Sequence, residues 1–327
     1  MLSFQNLLAS FETVFHKEVQ TIQSTDPVQL YDPIAYSLQG GGKRIRPVLM
    51  LHAASLLSDN IDGVFPAAVA IELFHNFTLL HDDIMDHAGL RRGEPSVHIK
   101  YGENSAILSG DAMSIMAFEF LSRCDSSKLP AVLAHFSRSA MEVCEGQQLD
   151  MEFEERDQVT ISEYLEMIRL KTSVLIACSL KTGALLAGGD DNFCRLLYDF
   201  GIQIGIAFQL QDDWLDVFGD QNTFGKKIGG DICENKKTFL LLKALEMSCE
   251  KDRAALKYWL EKSEFDAPQK IEAVRKIFTN SGASDATKAL MNEYHGKAFE
   301  ALNQLDLPDN DKLELRKFAD SVVYRIK

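Results

Sequence analysis

Apolar residues recur at spacings of three and four through most of the chain, and the stretches between those runs are punctuated by Gly, Pro and Asp. Residues 1–23 read as an amphipathic helix that breaks at Asp26 and Pro27. A second helix begins near Pro27 or Val28 and runs towards Leu38. Gly40, Gly41 and Gly42 form a flexible joint into KRIRPVLMLHAASLL, helical from about Pro47, a residue suited to a first turn. Gly63 and Pro66 lead into an apolar helix through residues 71–86, and Gly89, Gly93 and Pro95 mark a loop that holds Arg91 and Arg92. Further helices are predicted at 104–123, 129–152, 160–187, 190–218, 236–249, 252–262, 266–281, 283–304 and 310–325. The sequence has no alternating run of strand length, no long internal repeat and no Gly/Pro/Ser-rich linker. The pattern predicts an all-α fold, with residues 1–327 as a single domain and long helices around one central cavity.

One helical stretch departs from simple amphipathicity. Residues 71–94 read IELFHNFTLLHDDIMDHAGLRRGE, placing Asp82, Asp83 and Asp86 among Leu79, Leu80, Ile84 and Met85. On a helix Asp82 and Asp86 share a face, one turn apart. Most helical Asp pairs are solvated, but these neighbours are not those of a solvated face, and buried carboxylates are costly without a cation. Residues 204–220, IGIAFQLQDDWLDVFGD, repeat the device with Asp212, Asp213 and Asp216. If the two motifs face each other they form a carboxylate cage, suited to Mg²⁺ above other ions. Mg²⁺ held by a few carboxylates completes its shell with water and phosphate oxygens, so the implied ligand is a phosphate or diphosphate.

Composition narrows the picture further. A hydrophobic content of 46% suffices for a sizeable core, and a net charge of −14 excludes nucleic acid or an anionic membrane as the main partner. Six scattered cysteines without metal-like spacing read as reduced thiols of a cytoplasmic protein. Glu12, Lys17 and Glu18 interrupt the N-terminal apolar positions, so no signal peptide is visible. No run approaches the roughly eighteen apolar residues of a membrane span.

Together GGKRIRP at 41–47, HDDIMD with LRRG at 81–93, KT at 171–172, FQLQDDWLD at 208–216 and GKKIGGDICENKKT at 225–238 resemble the trans-isoprenyl diphosphate synthases. These are polyprenyl synthetases of the short-chain type, and the resemblance covers nearly the whole chain. It implies the isoprenoid synthase fold and head-to-tail condensation of isopentenyl diphosphate with an allylic diphosphate. Lys43, Arg46, His75 and Arg92 match the site for isopentenyl diphosphate; Arg44 reads as ordinary surface charge. Arg91, Lys171, Thr172, Gln209, Lys226 and Lys236 match the clamp on the allylic diphosphate. Asn235 stands where the pattern often has glycine, which would stiffen its loop. Three Mg²⁺ ions would be held by Asp82, Asp86 and Asp212, with Asp83, Asp213 and Asp216 in support. The catalytic set is then Asp82, Asp83, Asp86, Lys171 and Asp212. The released diphosphate serves as proton acceptor, so no Ser/His/Asp or Cys/His arrangement is required. The lysine-bearing loop and the tail from Tyr324 to Lys327 are the candidate lids.

Product length follows from the residues before the first motif. Phe77, five positions before Asp82, matches a chain-length floor, with Phe74 behind it and the small Thr78 beside it. The combination, without a two-residue insertion in the motif, resembles geranylgeranyl diphosphate synthases, and that product is favoured over farnesyl diphosphate. The alternatives are a longer-chain synthase and a non-catalytic subunit of a heteromeric one. Terpene cyclases and head-to-head synthases lack the GGKRIRP signature. The family expectation is a homodimer.

Overall fold

The structure, a computed structural model, describes residues 2–219 and 228–324. Lys226 of the allylic clamp and Arg325, Ile326 and Lys327 of the tail lie outside the described residues. The chain packs as two compact units, residues 1–137 with 178–198, and residues 138–177 with 199–327. The described residues are almost wholly helical, as the apolar spacing predicts.

In the first unit α1 (Phe4–Gln23) buries Leu7, Phe11, Phe15, Val19 and Ile22, one residue per turn, and Ser3 caps its start by accepting from the Asn6 amide at 3.2 Å. Helices α2 (Val28–Gln39) and α3 (Ile45–Ser55) follow, and α4 (Phe65–Met85) is the central element. Nearly every residue of α4 from Ala67 to Phe74 is buried, so it is apolar all round rather than along one stripe. With the preceding turn it forms a stretch, Asp62–Met85, that is long and apolar enough to cross a membrane, contrary to the sequence expectation that no run qualifies. Of that stretch's apolar window 61% is buried inside the protein, as befits a core helix.

Beyond α4 the chain forms a small element that the sequence pattern does not reveal. Leu90–Arg91 (β1) pairs antiparallel with Glu94–Pro95 (β2), two residues each, too short to show alternation. A five-residue helix, α5 (Val97–Tyr101), then precedes α6 (Glu103–Leu121). Tyr36 on α2 donates to the Pro95 carbonyl at 2.8 Å, tying this hairpin down.

Helices α7 (Leu129–Glu155), α9 (Val174–Leu186) and α10 (Asp191–Phe218) contribute residues to both units. The second unit's functional feature is a break in the helix predicted over 160–187. Between α8 (Ile161–Ile168) and α9 the turn widens to a π segment, Arg169–Ser173, which carries Lys171 and Thr172. Three glycines let neighbours close on it and on the start of α9. A Cβ at Gly146 would stand 2.3 Å from the Lys171 nitrogen, at Gly205 2.6 Å from the Ser173 Cα, and at Gly201 2.5 Å from the Ala177 Cα. Beyond α10, Val217, Ile232, Leu240, Leu256, Trp259 and Ile277 form the unit's own apolar core.

Candidate active site

In the first unit, α4 stops at Met85 and Asp86 becomes its C-cap. The Asp86 amide still donates to the Asp82 carbonyl at 2.8 Å, so the one-turn spacing of the two aspartates survives the helix end. Asp83 faces inward, 3% exposed. It is met by Arg91 from the hairpin, whose Nε lies 2.9 and 3.1 Å from its two carboxylate oxygens, while Arg91 Nη2 stands 3.5 Å from Asp82 Oδ2. Burial raises the Asp83 carboxyl, and the hydrogen bond and charge of Arg91 pull it back. Burial would lower Arg91, but Asp83, with the charges of Asp82 and Asp86, holds it above its ordinary value, so the pair is ionic. Arg91, expected on the allylic diphosphate, is thus engaged by the first aspartate motif itself.

Of the residues expected at isopentenyl diphosphate, His75 lies on the same helix and Arg46 of α3 meets it there. Arg46 Nη1 donates to His75 Nε2 at 3.1 Å. Burial first, then the charges of Arg46, Arg92, Arg91 and Arg44, hold the His75 imidazole well below its usual value, so it stays neutral and accepts. Burial also lowers Arg46 to about 10, against the opposing charge of Glu72. Arg92 donates to the Gly41 carbonyl, and a Cβ at Gly42 would stand 3.0 Å from its guanidinium. The glycine joint and the LRRG loop therefore meet. Lys43 is exposed.

Arg44 corrects the sequence reading. It is no surface charge but 6% exposed, paired with buried Glu72 at 2.6 Å and with Glu12 at 3.1 Å. An isolated Arg between Lys43 and Ile45 gives no hint of this, because its partners lie 32 positions before it and 28 after it.

The chain-length candidates belong to an aromatic cluster with tilted and edge-to-face rings. The Phe77 ring lies 5.3 Å from Phe74, and Phe74 lies 5.4 Å from Phe136 of α7. Phe74 is buried, while the Thr78 hydroxyl donates back to the His75 carbonyl at 2.8 Å.

In the second unit the middle aspartate again faces inward, but its partners differ. Asp213 accepts from the Tyr164 hydroxyl at 2.5 Å and from Gln209 Nε2 at 2.8 Å, and Gln209 accepts from Thr172 Oγ1 at 2.9 Å. Burial pushes Asp213 up to about 7; those two hydrogen bonds oppose it, and Asp212 and Asp150 add to it. Asp216 Oδ2 accepts from the Asp231 amide at 3.1 Å, at the start of the short helix α11 (Gly230–Cys233). Burial and the charges of Asp213 and Asp216 raise Asp231 well above its usual value. Lys171 Nζ pairs with Asp150 at 2.6 Å, and Lys236 with Glu234 at 3.3 Å. Asn235 adopts φ 56° and is fixed on both sides: it donates to the Leu260 carbonyl at 3.1 Å and accepts from fully buried Lys270 at 2.7 Å.

Asp150, Tyr164, Asp231 and Glu72 are the groups that sequence reasoning passed over. Asp231 and Glu72 stand inside quoted stretches and were within reach; Asp150 and Tyr164 are single residues on ordinary-looking helices, revealed only by their partners. Among the described residues no three His, Cys, Asp or Glu side chains enclose a metal position.

Comparison with known proteins gives the family. The polyprenyl synthetase family profile matches residues 27–278. A geranylgeranyl diphosphate synthase of Methanosarcina mazei is 42% identical over 304 residues, covering 92% of this chain and 91% of that one. A geranylfarnesyl diphosphate synthase of Natronomonas pharaonis is 36% identical over 319 residues, 91% of each chain. A crystal structure of a geranylgeranyl pyrophosphate synthase superimposes with a TM-score of 0.93 at 44% identity over the full length of both chains. This chain belongs to the polyprenyl synthetase family, and it is a prenyltransferase.

Proposed function

We propose that the chain is a Mg²⁺-dependent enzyme that condenses isopentenyl diphosphate head-to-tail with dimethylallyl, geranyl and farnesyl diphosphates, releasing geranylgeranyl diphosphate. The observation that carries this reading is helix α4. It ends in Asp82 and Asp83, and seven residues before Asp82, about 10 Å along the axis, it presents His75 with Arg46 on its ring. Metal-type carboxylates and an anion-binding cluster on one helix fit a diphosphate substrate whose charge must be both held and neutralised.

The donor set fits Mg²⁺. It is all oxygen, and no protein-only cage encloses a position among the described residues, so water and diphosphate oxygens would complete the shell. Asp82, Asp86 and Asp212 would hold the three ions; bound there, Mg²⁺ would supply Lewis-acid neutralisation of the departing diphosphate. Asp83, Asp213 and Asp216 orient the motifs through the hydrogen bonds described. Lys43, Arg46, Arg92 and His75 hold isopentenyl diphosphate, Arg forking phosphate oxygens and Lys acting as a point charge. Arg91, Lys171, Thr172, Gln209, Lys226 and Lys236 orient the allylic diphosphate. As its C–O bond breaks, the electron pair leaves with the diphosphate. The double bond of isopentenyl diphosphate attacks the allylic carbon, and the released diphosphate accepts the proton. Water must be kept out, because it would trap the allylic cation.

The Phe77–Phe74–Phe136 cluster supports a floor that stops elongation at twenty carbons. We also read residues 1–327 as one catalytic domain and the enzyme as a homodimer. On α6 the apolar Ile107, Leu108 and Ile115 are 39%, 59% and 64% exposed, a face that a second copy would cover. The six free cysteines suit a reducing cytoplasm. Incubating the purified chain alone with Mg²⁺, isopentenyl diphosphate and each allylic starter tests the reading. Geranylgeranyl diphosphate is expected, and EDTA should abolish it. A twenty-five-carbon or longer product would overturn the chain-length reading; no condensation with any starter would point to a non-catalytic subunit.

A further inference from the structure

We infer that the buried ion pair of Arg44 and Glu72 is a positioning device for the diphosphate-binding loop at residues 40–46, acting through Lys43 and Arg46. The inference rests on the reading of Lys43, Arg46, His75 and Arg92 as the isopentenyl diphosphate site.

Arg44 stands at the N-cap of α3 in the left-handed conformation, φ 46° and ψ 36°, with no cap bond from its side chain. That conformation is costly for a residue with a Cβ, and it persists only where the surroundings over-determine it. Here the side chain does so. Nη1 reaches Glu72 of α4 at 2.6 Å, Nε reaches Glu12 of α1 at 3.1 Å, and Nη2 donates to the Leu38 carbonyl of α2 at 2.8 Å. The guanidinium also lies 4.7 Å above the Phe15 ring. Three helices thus hold one side chain, and Asn76 donates to Glu72 Oε1 at 3.2 Å, fixing the carboxylate in turn.

The neighbours of Arg44 are the loop's anion-binding groups: Lys43 is exposed, and Arg46 meets His75. Glu72 and His75 are three residues apart on α4, hence on one side of that helix. The loop is therefore registered on α4 twice, through Arg44 on Glu72 and through Arg46 on His75. A buried ion pair adds little net stability over an apolar replacement; its distinctive effect is to specify one arrangement. The Glu72 charge also acts on both Arg46 and Arg92, so it holds like-charged groups near one another before substrate arrives.

Steady-state kinetics of Glu72→Gln and Arg44→Lys test this, with melting curves to verify folding and Arg46→Ala as control. In both variants KM for isopentenyl diphosphate should rise about tenfold, the scale of one charged hydrogen bond. kcat, KM for the allylic substrate and the hydrolysis of allylic diphosphate without isopentenyl diphosphate should stay within about twofold. Glu12→Gln touches only the solvent-facing side of Arg44, and should give a rise of about two- to threefold even if the buried variants fail to fold. A lowered melting temperature with unchanged KM would overturn the inference by making the pair merely structural. A fall in KM in Glu72→Gln would overturn it too, since Glu72 would then only oppose the anion. If Arg46→Ala leaves KM for isopentenyl diphosphate unchanged, the assignment of the site is wrong and the inference falls with it.

Discussion

The two aspartate motifs share their spacing and almost nothing else. In the first, the buried Asp83 is met by a guanidinium that the chain supplies eight residues later. In the second, the buried Asp213 receives neutral donors, the Tyr164 phenol and the Gln209 amide, while Asp212, Asp150 and Asp231 crowd the same region with negative charge. One motif meets its buried member with a charged donor; the other meets it with neutral donors and leaves it readily protonated. Equal spacing therefore does not mean equal affinity for metal. If both motifs bind Mg²⁺ as proposed, the second, whose buried aspartate is met by neutral donors, would gain more from it than the first.

The largest expected effect tests whether both motifs serve the chemistry at all. Asp82→Ala and Asp212→Ala should each lower kcat by about a thousandfold or more in a folded protein, since charge neutralisation by metal is worth several kcal/mol. Near-normal turnover in either variant would remove that motif from the reaction. Mg²⁺ titrations of the two variants sharpen the contrast: Asp212→Ala should need the greater increase in Mg²⁺ to recover its residual rate.

Next in size is the cost of removing each motif's buried partner. Arg91→Gln leaves the Asp83 charge buried and unpaired. Because the Arg91 side chain is itself 33% exposed, the cost should be about 2–3 kcal/mol rather than the larger figure for a fully buried pair. Tyr164→Phe removes one donor from a carboxyl that is already readily protonated, at about 1–2 kcal/mol. Denaturant melts without metal decide the order, and a larger loss for Tyr164→Phe would break the comparison.

The same contrast explains what could be read from the sequence. Helical periodicity identified the long helices, because each must bury an apolar face or stripe. The Asp motifs, Arg46, His75 and the glycine joint were singled out because each stands inside a recognisable run of residues, not because their partners are close: Arg46 and His75 are 29 positions apart. Arg44 was misread because a single basic residue in a basic stretch looks the same whether its side chain turns outward or inward. The π segment at Arg169–Ser173 was invisible because one widened turn hardly disturbs the apolar spacing. Tyr164 and Asp150 escaped for a related reason: their roles are set by Asp213 and Lys171, 49 and 21 positions away.

A more modest effect concerns what only the first motif's helix carries. Phe77 precedes Asp82 and packs at a tilt against Phe74, which meets the Phe136 ring edge-to-face. Phe77→Ala should lengthen the product by about one isoprene unit, roughly the 4.5 Å between residues three apart along a helix. Phe74→Ala with Phe77→Ala should add more than one. Extracted products under excess isopentenyl diphosphate give the answer, and an unchanged product in both would make the aromatic cluster plain core.

The smallest effect is a difference in sign under acid. His75 is neutral in the folded protein, its pKa depressed by burial and by the arginines around it. Once unfolded it takes up a proton as pH falls through about 6.5, so the unfolded chain binds more protons there. Stability from the His75 region is complete above that value and is lost as pH falls. Asp213 behaves in the opposite way without metal. Its folded pKa is about 7, raised mainly by burial, against about 3.9 unfolded, so between these values the folded form binds more protons. Its contribution is complete below about pH 4 and is lost as pH rises through 7. Each effect is limited to one proton, at most about 1.4 kcal/mol per pH step of one. Going from pH 7.5 to 5.5 in EDTA should therefore speed amide exchange in peptides of α3 and α4 and slow it in α10, after correction for intrinsic rates. His75→Gln should abolish the first response and Asp213→Asn the second. Responses of the same sign in both regions would mean that the two motifs do not differ electrostatically as described.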